Sequence, residues 1–294
     1  MMVQEQLREE AARLLREGEV DVFIGYTPGS LPAQSTITFA RCAEAAQELI
    51  FDPTCHMNLA VYLPRLKKQR VGVVLKACDS RALVELIRER QVDPAQVVAI
   101  GVECPGVIDR DKWEDHKALT EDNWEEARAE ACEQCRLPDG DMFHRWLGER
   151  RVVTSGGEAE SASSPLDEGS DERYRWFSAE MEKCIRCYAC RQACPACYCP
   201  ECFTDRSQPE WVSPVHEAPE AMLFHLVRTL HLAGRCTDCG SCARACPQNI
   251  NLLALHRRME AEAERRFGYL SGQDPQDPSL LGSFSKDDPD DFIK

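Results

Sequence analysis

The apolar positions of the N-terminal half alternate between helical and strand patterns. Residues 3–18 carry leucine or alanine every three or four positions among charges and end at Gly18, which predicts an amphipathic helix. A strand is predicted at 20–26 and a second helix at 41–51. The clearest unit is the strand VGVVLK, the turn ACDS, the helix RALVELIRERQ and the strand VVAIGV. Because such a unit forms a parallel crossover, residues 1–150 are predicted to be an α/β domain with parallel strands.

The C-terminal half combines three apolar helical patterns with two segments that lack one. Helices are predicted in ERYRWFSAEMEKC, APEAMLFHLVRTLHLAGR and NLLALHRRMEAEAERRF. Residues 151–175 are mostly small or acidic, and burial of so few apolar side chains cannot offset the entropy lost on ordering. They are therefore expected to form a flexible linker. Residues 176–270 are predicted to form a second domain. Residues 271–294, rich in aspartate and proline, are expected to be an acidic tail that stays disordered or lies on a partner.

Two copies of one cysteine spacing lie in the predicted second domain. The segments KCIRCYACRQACP and RCTDCGSCARACP both follow C-x-x-C-x-x-C-x-x-x-C-P, the run with which bacterial ferredoxins hold 4Fe-4S clusters. In two-cluster ferredoxins the fourth cysteine of each run binds the other cluster. The predicted ligands are Cys184, Cys187, Cys190 and Cys246 for the first cluster and Cys236, Cys239, Cys242 and Cys194 for the second. The helical segment between the runs favours an α-helical ferredoxin-type dicluster domain.

Four further cysteines occupy positions where a site is expected. Cys78 lies at the strand-to-helix turn, Cys104 follows the next strand, and Cys132 and Cys135 form a C-x-x-C pair. Ligand sites in open α/β sheets lie beyond the carboxyl ends of the strands, so we hypothesise a third 4Fe-4S cluster held by these four residues. Two alternatives stay open: buried cysteines that act as small apolar residues, and a zinc site with four thiolates.

The other cysteines and the histidines do not select one chemistry. Cys197, Cys199 and Cys202 follow the first run closely and suit a further metal, a redox-active thiol pair or hydrogen bonds near the first cluster. Cys55 suits either group of ligands, and Cys42 is interpreted as a helix-face residue. The histidines occur singly and are interpreted as core or surface residues, not as ligands.

The turn at Cys78 also carries charged residues. Asp79 or Ser80 is expected to cap the following helix, whose amide groups together with Lys76 and Arg81 suit a phosphate, another anion or a flavin. The alternative is an ordinary capped helix with two solvated cations.

Composition limits the class of protein. The formal net charge of -15 argues against nucleic-acid binding, which relies on Lys and Arg to neutralise phosphates. The 17 cysteines occur in a chain of 294 residues without a signal-peptide pattern, so metal binding is favoured over a disulfide scaffold and the expected location is the cytoplasm. No apolar segment is long enough to span a membrane.

One segment carries a family resemblance. VVLKACDSRALVELIRERQVDPAQVVAIGVECPGVID, followed by CEQC, resembles the β-subunit family of deazaflavin-reducing hydrogenases and formate dehydrogenases over residues 20–145. In that family a strand ends in a cysteine-containing turn, a further strand ends in Ile-Gly-x-x-Cys-x-Gly, and a C-x-x-C pair follows. The resemblance implies FAD, iron-sulfur clusters and other redox subunits as partners. The turn here is Lys-Ala-Cys-Asp-Ser-Arg, where the family usually has Pro-Cys-Gln.

These observations favour an iron-sulfur electron-transfer subunit of a redox complex. No Ser-His-Asp constellation or paired acid and base is evident, so no independent active site is predicted. The alternative is a subunit with FAD that exchanges hydride with a deazaflavin or a nicotinamide. A zinc-stabilised interaction protein is a third class, which the duplicated cysteine run disfavours.

Overall fold

The computed structural model describes residues 3–109, 112–113, 123–133, 135, 142–149, 166–284 and 286–288. The strands are β1 (Val22–Pro28), β2 (Ser35–Ala40), β3 (Val71–Leu75), β4 (Val97–Val102) and β5 (Arg145–Leu147). The helices of the N-terminal part are α1 (Val3–Arg16), α2 (Ala43–Ala46), α3 (Ala77–Arg88) and α4 (Glu130–Glu133). Those of the C-terminal part are α5 (Ser170–Glu182), α6 (Ala189–Gln192), α7 (Ala218–His231), α8 (Ser241–Arg244) and α9 (Leu252–Phe267).

The five strands form one mixed sheet in the order β2-β1-β3-β4-β5. β1 runs antiparallel to β2, whereas the pairs β1/β3, β3/β4 and β4/β5 are parallel. Each residue of β3 is buried, as expected for an apolar run inside a covered sheet. The predicted crossover β3-α3-β4 is confirmed, and so is the α/β class of the N-terminal part.

Two local predictions in this part were wrong. The helix expected at 41–51 is limited to the single turn α2, because the N–H of Ile50 donates to the carbonyl of Tyr26 at 2.8 Å and draws the chain to the sheet. The segment ACDS, predicted as a turn, forms the first turn of α3. Asp79 does contribute to the cap, since its Oδ2 accepts the N–H of Lys76 at 3.3 Å.

The C-terminal part contains three long helices and the two short helices α6 and α8. α7 contacts α5 and α9, and α6 contacts α8. Its buried residues include Met181, Phe224, Ile250 and Leu252 together with cysteines of both runs. Cys184 and Cys190 of the first run and Cys242 and Cys246 of the second therefore belong to an apolar interior, whereas Cys187 is exposed.

The two parts pack against each other through charged side chains. Nε and Nη2 of Arg235 donate to the two carboxylate oxygens of Glu89, and the distance from Nη2 to Oε2 is 2.8 Å. Arg244 donates to the carbonyl of His56 at 2.8 Å. A Cβ built on Gly240 would lie 2.7 Å from Cβ of Ala131, so the second cysteine run lies directly on α4.

The beginning of the predicted acidic tail lies on the chain itself, contrary to the expectation of disorder or a partner. Arg81 Nε donates to the carbonyl of Ser271 at 2.8 Å, and Glu85 accepts the N–H of Gly272 at 2.5 Å. These buried groups on α3 hold the segment because its backbone supplies their hydrogen-bond partners.

Two further predictions concern the linker and the membrane. Most of the predicted linker 151–175 lies outside the described residues, and its last part, from Ser170, belongs to α5. Within the described ranges, no helix combines the length and the apolar character that a membrane span requires.

Candidate metal centres

The two cysteine runs adopt the same backbone conformation. Two residues after the first cysteine of each run, Arg186 and Asp238 have φ of 52° and 50°. One residue after the second cysteine, Tyr188 and Gly240 have φ of 59° and 68°. Left-handed conformations are unfavourable for residues other than glycine, so their recurrence at matching steps indicates that both loops are shaped for the same task.

The first predicted cluster has its four ligands around one cavity. Cys184, Cys187 and Cys190 of the first run line it together with Cys246 of the second run. Tyr188, Phe224, Pro247 and Ile250 complete much of the wall. The fold thus brings the fourth cysteine of the second run to the first run, as the crossed assignment requires. A cluster ligated by four thiolates in an apolar shell fits these residues.

In the second predicted site Cys242 is buried, and Cys194, Cys236 and Cys239 are half-buried. The helix α6, which ends two residues before Cys194, contacts α8, which contains Cys242. Cys194, the fourth cysteine of the first run, therefore lies near the second run. This is the reciprocal half of the crossed arrangement.

Burial disfavours the thiolate form at both sites when no metal is bound. Desolvation raises the pKa of Cys190 to about 12 and that of Cys242 to about 11, and it also raises the pKa of Cys236. Because metals bind thiolates, loading of these sites must release protons.

Two buried polar side chains of α7 accompany the cysteines, and neither was selected from the sequence. His225 Nε2 lies 3.3 Å from Sγ of Cys184, and burial lowers its pKa to about 4, with a contribution from Arg228. Arg228 donates to the carbonyl of Cys190 at 3.2 Å. His225 is four residues after Ala221 and Arg228 is four after Phe224, which places both on the buried face, but only the fold shows that this face meets the cysteine runs.

A single metal ion imposes a different geometry from a cluster. Within the described part of the chain, no three His, Cys, Asp or Glu side chains gather as one ion would require. In a 4Fe-4S cluster each thiolate binds its own iron, so the sulfurs surround a cavity and do not meet at one point.

Two of the cysteines predicted for a third site lie on neighbouring segments, since Sγ of Cys132 accepts the N–H of Val107, three residues after Cys104, at 3.4 Å. Burial raises the pKa of Cys104 to about 11, and the charge of Cys132 contributes. Burial and Asp79 raise the pKa of Cys78, to which Cys239 and Cys104 also contribute. Cys135 is exposed, and its N–H donates to the carbonyl of Cys132 at 3.4 Å. The third site adjoins the second run, because Ala131, next to Cys132, lies against Gly240, next to Cys239.

The four residues proposed for anion or flavin binding are turned inward. Lys76 is 3% exposed, and its Nζ contacts Asp79 at 2.8 Å and the hydroxyl of Tyr26 at 2.6 Å. Ser80 is buried, and the guanidinium of Arg81 is occupied by Ser271. The alternative of two solvated cations is wrong, because Lys76 and Arg81 are both buried.

The remaining cysteines diverge. A hydrogen bond with Cys194 lowers the pKa of Cys197 to about 7 despite burial, and Arg228 assists. Cys199 is exposed, whereas Cys202 interacts with Thr204 and Arg191. Cys55 lies in the core of the N-terminal part with Sγ 3.9 Å from the carbonyl of Ile50, and Cys42 is exposed just before α2.

Comparisons with known proteins point to one group of redox subunits. No protein-family model matches the chain. The F420-dependent formate dehydrogenase subunit beta of Methanocaldococcus jannaschii is 34% identical over 99 residues, which are 34% of this chain and 26% of that relative's length. The F420-dependent formate dehydrogenase 1 subunit beta of Methanococcus maripaludis is 25% identical, over 92% of this chain and 90% of the relative.

A solved structure of the F420-reducing [NiFe] hydrogenase complex from Methanosarcina barkeri contains a chain with 18% identity and a TM-score of 0.29. That match covers 36% of this chain and 41% of the other. The two curated relatives confirm the resemblance seen in the sequence: the chain is similar to the β subunits of F420-dependent formate dehydrogenases.

Proposed function

We propose that the chain is an iron-sulfur electron-transfer subunit of a multi-subunit cytoplasmic redox complex, where it relays single electrons between flavin or metal centres of its partners. The observation that carries this proposal is the cavity lined by three cysteines of the first run and by Cys246 of the second. A bound 4Fe-4S cluster supplies one-electron chemistry at a potential set by its surroundings. Cys184, Cys187, Cys190 and Cys246 would hold the cluster, and Tyr188, Phe224 and Ile250 would form an apolar wall beside it.

The positions of the cysteines give the relay an order. Cys190 of the first site and Cys242 of the second belong to one buried cluster. Gly240, next to Cys239 of the second run, lies against Ala131, next to Cys132 of the third site. The three sites follow one another with the second run in the middle, and the path leads from the C-terminal helices to the sheet. Such an order suits a subunit that connects two partners.

The partners are proposed from the similarity to relatives that are themselves named subunits of F420-dependent formate dehydrogenases. Other redox subunits, of a hydrogenase, a formate dehydrogenase or a heterodisulfide-reductase-like protein, are the expected partners.

If the chain binds FAD, the flavin must occupy a surface other than the turn that carries Lys76 and Arg81. Lys76 and Arg81 already have partners within the chain. These two residues are therefore not proposed to bind a flavin. FAD stays a prediction from the resemblance.

The test is an anaerobic purification in which iron, sulfide and flavin are counted on one sample and co-eluting proteins are identified. The two cysteine runs are expected to contribute about eight irons per chain and the third site about four more. Cys104→Ser should lower the count by about four, and so should Cys135→Ser if this exposed residue is the fourth ligand, whereas Cys42→Ser should leave the count unchanged. A colourless zinc protein would overturn the proposal, and stoichiometric flavin would support the FAD alternative.

A further inference from the structure

Arg228 is a buried cation at the junction of the two cysteine runs. It is 3% exposed. Its Nη1 lies 2.9 Å from Nε2 of His256, and its Nη2 donates to the carbonyl of Cys190 at 3.2 Å. Its Nε has no hydrogen-bond partner among the described residues. The contacts with His256 and Cys190 thus occupy two of the five N–H donors of the guanidinium, and both partners are neutral groups.

The charge of Arg228 is compensated by sulfur and not by carboxylate. Among the residues that the structure describes, no Asp or Glu forms an ion pair with it, although most other buried or half-buried arginines have one. Burial disfavours its charge, yet nearby thiols raise its pKa well above the ordinary value. The side chains of Cys242 and Cys197 are hydrogen-bonded to the guanidinium, and the charges of Cys190 and Cys194 also act on it.

These cysteines come from both predicted cluster sites. Cys190 is a predicted ligand of the first cluster, and Cys194 and Cys242 are predicted ligands of the second. An isolated buried cation is costly, so a compensating negative charge is required nearby. Thiolates that ligate clusters supply such a charge on both sides of the guanidinium.

We propose that Arg228 is a counter-ion shared by the two cluster sites and that it sets the reduction potentials of both. The inference rests on the proposed function, because it requires clusters at these cysteines. A fixed positive charge favours the state with one more electron, so Arg228 raises both potentials. Because it lies next to both sites, it shifts the two potentials in the same direction.

The test compares Arg228→Gln, Arg228→Lys and the wild-type chain by iron count and by redox titration of each cluster signal. Arg258→Gln is the control, since it removes a charge from a half-exposed position that is paired with Asp167 and Glu262. In Arg228→Gln both potentials should shift negative, with each reduction equilibrium changed tenfold or more, which is at least about 59 mV for one electron. Arg228→Lys should lie near the wild type, and Arg258→Gln should match it.

Each outcome decides a separate claim. A wild-type chain without clusters would defeat the proposed function itself. If the clusters are present but Arg228→Gln leaves either potential unchanged, the shared counter-ion is refuted while the proposed function stands. If Arg228→Gln loses iron, Arg228→Lys decides: retained iron supports a requirement for charge, whereas equal loss shows that packing alone is at stake and overturns the proposal.

Discussion

At the scale of single residues, the environment of Arg228 keeps two histidines uncharged. His225 and His256 are both buried, and both have pKa values lowered by burial and by the adjacent guanidinium. A neutral His256 offers Nε2 as an acceptor to Arg228, whereas a protonated ring would repel it. The two imidazole rings therefore stay neutral in the folded chain at pH values at which they would bind protons in the unfolded chain.

This exclusion predicts an acid-sensitive stability. Below pH 6.5 the unfolded chain gains a proton on His256 and the folded chain does not, so the contribution of this residue to stability is complete above pH 6.5 and decreases as the pH falls. At pH 5.5 the loss should be about 1.4 kcal/mol. The decrease in Tm between pH 7.5 and 5.5 should be smaller in His256→Gln and unchanged in the exposed His231→Gln. An undiminished decrease in His256→Gln would contradict a neutral buried ring.

At the scale of elements, the sheet depends on close approach at a glycine of its central strand. A Cβ built on Gly72 in β3 would lie 2.5 Å from Cδ2 of Phe23 in β1, and Phe23 is fully buried. The ring cannot retreat without displacing its neighbours because protein interiors are close-packed.

Gly72→Ala is therefore expected to destabilise the fold by about 1–3 kcal/mol, the usual cost of overpacking. Gly282→Ala is the matched control, since the nearest atom to its added methyl group is 3.5 Å away, and it should change stability by less than about 0.5 kcal/mol. Thermal unfolding of the two variants measures the difference. Equal Tm values would show that the strands can separate enough to admit the methyl group.

The periodicity of apolar residues was sufficient to predict the helices and strands in which that periodicity is strong. β1, β3, β4 and the long helices α1, α7 and α9 follow from such patterns. β2 was missed because its exposed and half-buried positions give no clear alternation, and its place depends on pairing with β1. The ligand sets were predicted from the spacing of the cysteines. The contact of Arg228 with both runs depends on how α7 packs, which no local sequence pattern indicates.

At the scale of the whole molecule, the sheet and the C-terminal helices share a partly buried ion pair. The side chains of Arg235 and Glu89 are 12% and 11% exposed, and the same arginine donates to the carbonyl of Ala196 at 3.2 Å. Ala196 follows the first cysteine run closely in sequence. The contact therefore ties α3 to the segment that holds Cys194.

Removing the carboxylate should weaken this connection. Glu89→Gln leaves Arg235 without its counter-ion and is expected to cost about 2–3 kcal/mol. Glu201→Gln breaks an exposed pair with Arg206 and should cost no more than about 1 kcal/mol. Urea midpoints of the two variants test this. Similar midpoints would mean that the pair contributes nothing to the contact between the two parts.

The central claim is that the two cysteine runs exchange their fourth ligands around 4Fe-4S clusters. The most direct test is the iron content of anaerobically prepared Cys246→Ala beside the wild type and Cys42→Ala. Cys246 lies in the second run but lines the cavity of the first. The account predicts that Cys246→Ala loses about four irons per chain and the signal of the cluster beside His225, while Cys42→Ala keeps both. An unchanged iron content in Cys246→Ala would contradict it.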